Sequence, residues 1–262
     1  MARKLRIPSR YYRSLPIDDA SYETEMLELD ADRTAFVGMH CWNIGMPDGP
    51  EIDVNYCVGM GFPQALAEAA RIVNEMIRPA MDAARAANVL VAHVESATIA
   101  AKHPEAQQYL DPPPLPPAMP PRAEVVPGYR ASIVARSHGL NYATQSPYAR
   151  MDRAEAVMPL PGELFVYETT QFDRALRFHG IENLIYSGFA TDMCILRAPG
   201  GVEPMAPYGY RIFLMRDATV GVELPDTFDE RIATRWGIAY FEAHYGNTIT
   251  REDFIKACEE IR

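Results

Sequence analysis

No apolar run in this sequence approaches the ~20 residues that a membrane-spanning helix needs, so no membrane partner is expected. Basic residues are outnumbered and unclustered. Lys and Arg total 25 against 35 Asp and Glu, a formal net charge of −10, which argues against nucleic acid or an anionic membrane as partner. Cysteine is scarce. The four present (Cys41, Cys57, Cys194, Cys258) have no CxxC or zinc-ligand spacing, so neither a disulfide framework nor a structural metal is indicated. Reduced thiols in a cytoplasmic setting are the simplest expectation. The basic start, Met1 to Pro8, has no apolar stretch after it and does not read as a secretory signal. There is no internal repeat. What remains, 48% hydrophobic and 23% charged residues over 262 positions, describes a globular protein with one large domain, or one domain with extensions.

Short buried-strand patterns alternate with helical ones. Thr34–Met39, Val89–Val94, Leu164–Tyr167, Asn183–Tyr186 and Tyr210–Met215 are apolar runs of strand length. Helical spacing covers 62–87, 172–178, 226–244 and 250–261, with Asp226 and Thr250 as expected N-caps and His179-Gly180 as a C-cap. Residues 1–31 read as an irregular arm ahead of a domain spanning 32–262. Eight of the 22 prolines fall between Pro112 and Pro127, giving a stiff excursion over 111–128. It reads equally as a surface detour and as a lid or subunit contact.

Strand–helix alternation predicts an α/β fold with a parallel sheet covered on both faces. Ligands bind such sheets beyond the carboxyl ends of the strands. That rule selects His40, Glu95, Glu168 and the turn Gly188–Cys194. In that turn, Ser187-Gly-Phe-Ala-Thr-Asp-Met-Cys194 delivers a cysteine to the expected first turn of a helix. Unpaired N–H groups there favour a thiolate, the reactive form of a nucleophilic cysteine. The alternative for Cys194 is a buried structural thiol. Cys41 should point away from His40 into the core, and Cys57 and Cys258 have no chemical context.

The nucleophile turn, Met158-Pro-Leu-Pro-Gly-Glu-Leu-Phe-Val-Tyr-Glu168 and Arg33-Thr-Ala-Phe-Val-Gly-Met-His40 together resemble the isochorismatase-like hydrolases, which include nicotinamidases and N-carbamoylsarcosine amidases. The resemblance covers about residues 32–256. It implies a three-layer, Rossmann-like fold with a six-stranded parallel sheet between helices, a homo-oligomer (dimer or tetramer), and a cis peptide at Ala190–Thr191. It also implies a catalytic aspartate, lysine and cysteine. Only the cysteine is present here: His40 stands at the aspartate position and Glu168 at the lysine position.

The catalytic set expected is therefore Cys194 as nucleophile, His40 as proton shuttle and Glu168 orienting the imidazole. Backbone N–H groups of Ala190 and Thr191 are expected to hold the oxyanion. Trp42, Asn43 and Phe189 are expected to wall a pocket for a small amide, ureide or imide. His93, Glu95 and His103 lack the aspartate of the family's metal pattern, so neither metal nor other cofactor is expected. Because two family positions are changed, a silent relative that binds a metabolite or partner is the competing expectation.

Overall fold

A computed structural model of the chain describes residues 3–51, 62–110, 123–147 and 150–262. Its strands are β1 (Lys4–Arg13), β2 (Ser21–Asp30), β3 (Thr34–Met39), β4 (Leu90–Val94), β5 (Leu164–Val166), β6 (Asn183–Phe189), β7 (Arg211–Val220) and β8 (Thr248–Ile249). The helices are α1 (Pro63–Arg71), α2 (Arg78–Ala86), α3 (Ala97–Ala100), α4 (Tyr129–His138), α5 (Tyr142–Gln145), α6 (Thr169–Phe178), α7 (Cys194–Arg197), α8 (Val202–Met205), α9 (Ile232–His244) and α10 (Arg251–Glu260). All eight strands form one sheet in the order β2-β1-β8-β7-β6-β3-β4-β5. The six from β8 to β5 run parallel, as the sequence implied. β1 and β2 add an antiparallel pair at one edge.

Side-chain alternation along the central strands divides the core into two layers. Phe36, Ile185 and Phe213 pack with Ile77, Met81 and Phe254 from α2, its preceding turn and α10. Val37, Leu184, Tyr186 and Leu214 pack on the opposite face with Phe172, Leu176, Val202 and Phe241 from α6, α8 and α9. Every residue of β3 and β6 is buried, which is why both read as mostly apolar runs of strand length.

The residues expected to form an irregular arm are instead the β1–β2 hairpin, paired in register from Lys4↔Asp30 to Arg13↔Ser21. Leu5, Ile7 and Leu29 are fully buried in the main core. Arg10 fastens the hairpin to α9 by donating to Glu242 at 2.8 and 3.3 Å. Replacing Ile7 with alanine should therefore cost ~2–5 kcal/mol of unfolding free energy in a urea titration. An independent arm would leave the transition unchanged.

Three helices differ from their expected bounds; α6 starts at Thr169, three residues before the expected 172. The helix expected over 62–87 is α1 and α2 joined by a π-helical turn, Ile72–Ile77. Pro79, which has no N–H to donate, is the second residue of α2, just past that turn. α9 starts at Ile232, not at the expected cap Asp226. Buried Glu223 takes the cap's role from a distance, accepting from the N–H groups of Thr234 at 2.8 Å and Ala233 at 3.3 Å. The cap of α10 is as expected, with Thr250 accepting from the Asp253 N–H at 3.2 Å.

Candidate active site

The parallel register places the ends of β6, β3 and β4 side by side, Met39 lying between Gly188 and Val94. Gly188 has φ +111, and a Cβ there would lie 1.9 Å from the Met39 carbonyl oxygen, so only glycine fits. The chain then turns through a cis peptide at Phe189–Ala190, one bond earlier than the resemblance implied. The Ala190 carbonyl accepts from the N–H groups of Met193 at 3.1 Å and Ile195 at 3.0 Å, which folds the turn into α7. Thr191 fixes it to the end of β7: its N–H donates to Val220 O at 3.1 Å and its hydroxyl meets that of Thr219 at 2.7 Å. Val222 N–H donates to Asp192 at 2.8 Å. Gly237 lets α9 press against the turn, since a Cβ there would stand 3.0 Å from backbone of Thr191 and Asp192.

Cys194 is half-buried and opens α7. Its pKa is raised, first by burial and then by the charges of Asp192 and Glu95, while a backbone hydrogen bond from Ala190 acts in the opposite direction. The expected lowering by a helix dipole is not met. α7 has four residues, and so short a helix sums few peptide dipoles.

His40 follows β3 with φ +48 and donates its backbone N–H to Val94 O at 2.9 Å. Its imidazole is buried and lies against the Trp42 ring, centroids 5.3 Å apart. Burial, then the nearby Arg153 charge, lowers its pKa to about 4, so the ring is neutral at neutral pH.

Glu95 directly follows β4, and its backbone N–H donates to Val166 O at 2.9 Å. Its carboxylate and the Arg153 guanidinium form a fully buried ion pair in which Nη1 donates to Oε1 at 2.6 Å. Arg153 is held by further bonds from Nε to Val157 O at 2.8 Å and from Nη1 to Gly38 O at 3.2 Å. Gly38 makes room for it, as a Cβ there would meet Nη2 at 2.7 Å. Burial outweighs Arg153 and the Trp42 indole and raises the Glu95 pKa to about 7. Among the described residues, His40 Nδ1, Glu95 Oε2 and Arg153 Nη2 are buried without a hydrogen-bond partner. Two of these atoms belong to this ion pair, so each partner keeps unused bonding capacity.

Several expected site residues have other work. Glu168 is exposed and caps α6, where Gln171 Oε1 accepts from the Glu168 N–H at 3.3 Å in a capping box. It is therefore not the buried partner expected for His40. Phe189 is core, packed in the layer of Phe213 and Val220. Asn43 ties a loop together: its amide donates to Asp48 O at 3.0 Å and its oxygen accepts from Asp152 N–H at 2.8 Å. The Thr191 N–H is already bonded to Val220, which leaves Ala190 as the turn's contribution near the sulfur. Cys41 and Cys258 are buried core thiols, while Cys57 and residues 111–122 of the proline-rich excursion lie outside the described residues.

His93 is buried and bonded to Glu163 at 2.7 Å, and Arg85 Nε donates to the same carboxylate at 2.7 Å. His103 faces Asp152 at 2.8 Å. Among the described residues no three His, Cys, Asp or Glu side chains converge as a metal site. Arg153 carried no sequence signal, because it lies in a loop outside any periodic pattern.

Neither a family model nor a curated protein matches the chain. Solved structures do. A cysteine hydrolase from Pseudomonas syringae pv. phaseolicola 1448A superposes with a TM-score of 0.54 at 17% identity, over 89% of this chain and 96% of that one. An isochorismatase family protein from Desulfovibrio vulgaris gives a TM-score of 0.48 at 17% identity, over 87% of this chain and 97% of its own. With its six parallel strands and the cysteine turn after β6, the chain has the isochorismatase-like fold.

Proposed function

We propose that the chain is a cysteine-dependent hydrolase that cleaves a C–N bond of a small amide, ureide or imide, with Cys194 as nucleophile and Glu95 as its base. The observation carrying this reading is the buried Glu95–Arg153 pair, set just past β4 at the same carboxyl edge of the sheet where the turn after β6 delivers Cys194. In this reading the family's carboxylate and cation are supplied from different positions beside the retained thiol. Glu95, with a pKa of about 7, is matched to proton exchange near neutrality. His40, at about 4, is a weak acceptor and serves as a neutral wall of the site with Trp42.

In this scheme Glu95 takes the Cys194 proton as sulfur attacks the carbonyl carbon. The N–H of Ala190 lies beside the developing charge. Glu95 returns the proton to the leaving nitrogen, the C–N bond breaks, and a thioester remains. Water then attacks the thioester carbon, giving its proton to Glu95. The carbon–sulfur bond breaks, the carboxylic acid leaves, and the sulfur recovers its proton. Arg153 keeps Glu95 oriented and ionisable throughout.

Alkylation tests the nucleophile directly. Iodoacetamide near neutral pH should modify Cys194 at least ~10-fold faster than Cys41 or Cys258, whose thiols burial raises to about 12. Peptide mass mapping gives the three rates. Equal or slower labelling of Cys194 would favour a silent relative that uses the same edge for binding.

A further inference from the structure

β4 carries a second buried polar group on the face that leads to Glu95. Side chains alternate along a strand, so His93 shares the layer of Phe36, Val91 and Met81. Its ring is fully buried, and Nε2 lies 2.7 Å from Glu163 Oε2. The Glu163 carboxylate accepts in addition from Arg85 Nε at 2.7 Å, Arg85 Nη2 at 3.0 Å and the Leu160 N–H at 2.8 Å. Against burial, the bonds from His93, Arg85 and Leu160 lower its pKa to about 2. An ionised carboxylate only accepts, so Nε2 is the nitrogen that carries the proton. Burial, then the Arg153 charge, lowers the His93 pKa to about 3. The ring is therefore neutral at neutral pH, and Nδ1 is a bare acceptor.

Arg153 holds the matching donor. Gly38 pairs with His93 in the parallel register, so the space above Gly38 adjoins the imidazole on this face. Arg153 Nη2 fills that space, 2.7 Å from where a Gly38 Cβ would stand. Among the described residues, neither His93 Nδ1 nor Arg153 Nη2 has a hydrogen-bond partner, and both atoms are buried. Left alone, each would bear the cost of burial without a bond; set side by side, they are complementary.

We propose that His93 is a positioning residue for Arg153, its Nδ1 accepting from Nη2 through one bridging water. Glu163 and Arg85 keep the His93 proton on Nε2, so that Nδ1 stays free to accept. Arg153 is then braced at Nη2 by His93 while Nη1 meets Glu95 and Gly38. Only the consequence for catalysis rests on the reading of Glu95 as base.

Nitrogen NMR of the wild-type imidazole and carbon NMR of the Glu95 carboxyl, assigned by its loss in Glu95→Gln, test it. Near neutral pH His93 should be the neutral Nε2–H tautomer. His93→Gln sets an amide where Nε2 lay and can reach Glu163, but leaves Nη2 without an acceptor. His93→Asn sets an amide oxygen where Nδ1 lay. A guanidinium unbraced at Nη2 sits less squarely on Glu95, so in His93→Gln the Glu95 carboxyl should titrate about one unit higher than in wild type. In His93→Asn it should stay near the wild-type value. The other titratable groups around the pair are Asp152 before β5, His40 and Cys41 after β3, and Cys194 after β6; the test leaves all four in place. A packing role would lower stability in both variants and move neither titration. An Nδ1–H tautomer in wild type, an unmoved Glu95 in His93→Gln, or equal shifts in the two variants would each overturn the proposal. The tautomer decides it if a variant fails to fold. The pH dependence of kcat/KM reads the function separately: if it does not follow the Glu95 titration, Glu95 is not the base, and the positioning by His93 stands.

Discussion

Cys194→Ala should reduce hydrolysis of a small amide to the rate of buffer, and Glu95→Gln should lower it ~10²–10⁴-fold, the range of a general-base contribution. Both follow from placement. Cys194 leaves the turn after β6 and Glu95 follows β4, two strands away at the same carboxyl edge of the sheet. Because Glu95 acts as a base only when ionised, kcat/KM should rise with pH through about 7. In Glu95→Gln that limb should vanish. His40→Gln should keep it, because an imidazole held to about 4 is already neutral throughout the limb. If the limb survives in Glu95→Gln and disappears in His40→Gln, the roles are reversed. The Cys194 replacement should leave stability nearly unchanged, as its side chain is only half-buried.

Elements whose apolar residues are buried on both faces were legible in the sequence. β3 and β6 are fully buried and mostly apolar, and the Thr250–Asp253 cap announces α10. The β1–β2 hairpin was obscured. Leu5 and Ile7 do alternate with Lys4 and Arg6, the period of a half-buried strand, but Pro8 and the tyrosines after it mask the pattern. Glu95 was selected by the rule that ligands gather beyond the carboxyl ends of parallel strands. The same rule selected His40 and Glu168, and the resemblance gave proton transfer to His40 and its orientation to Glu168, which caps a helix. Sheet topology, which this chain keeps, places Glu95 at the carboxyl edge, whereas family residue identities, which it has changed, give no sign of it. Arg153 was invisible because it approaches the edge from a loop, and nothing local in sequence reports a contact with Gly38 across 115 positions.

Arg153→Met should destabilise the fold by ~3–5 kcal/mol, the usual cost of leaving one member of a buried ion pair uncompensated. The guanidinium is fully buried, and its bonds to Glu95, Gly38 and Val157 join β3, β4 and the loop before β5. Its loss should also make stability more dependent on pH. The Glu95 pKa is already raised from 4.5 to about 7 in the folded chain. The folded state therefore holds that proton more tightly than the unfolded state, and this group's contribution declines as pH rises from about 4.5 to about 7. His40 and His93, lowered to about 4 and about 3, run the opposite way and oppose it below their ordinary 6.5. Without Arg153 the Glu95 pKa moves further up, so Arg153→Met should be more destabilised at pH ~8 than at pH ~5. Adding Glu95→Gln removes the titrating group and should restore part of the stability at pH ~8 while flattening the difference. Urea titrations of the two variants at both pH values decide it. If the single variant loses equal stability at the two pH values, Arg153 acts by packing alone, and the charge pairing at the centre of the proposed mechanism is wrong.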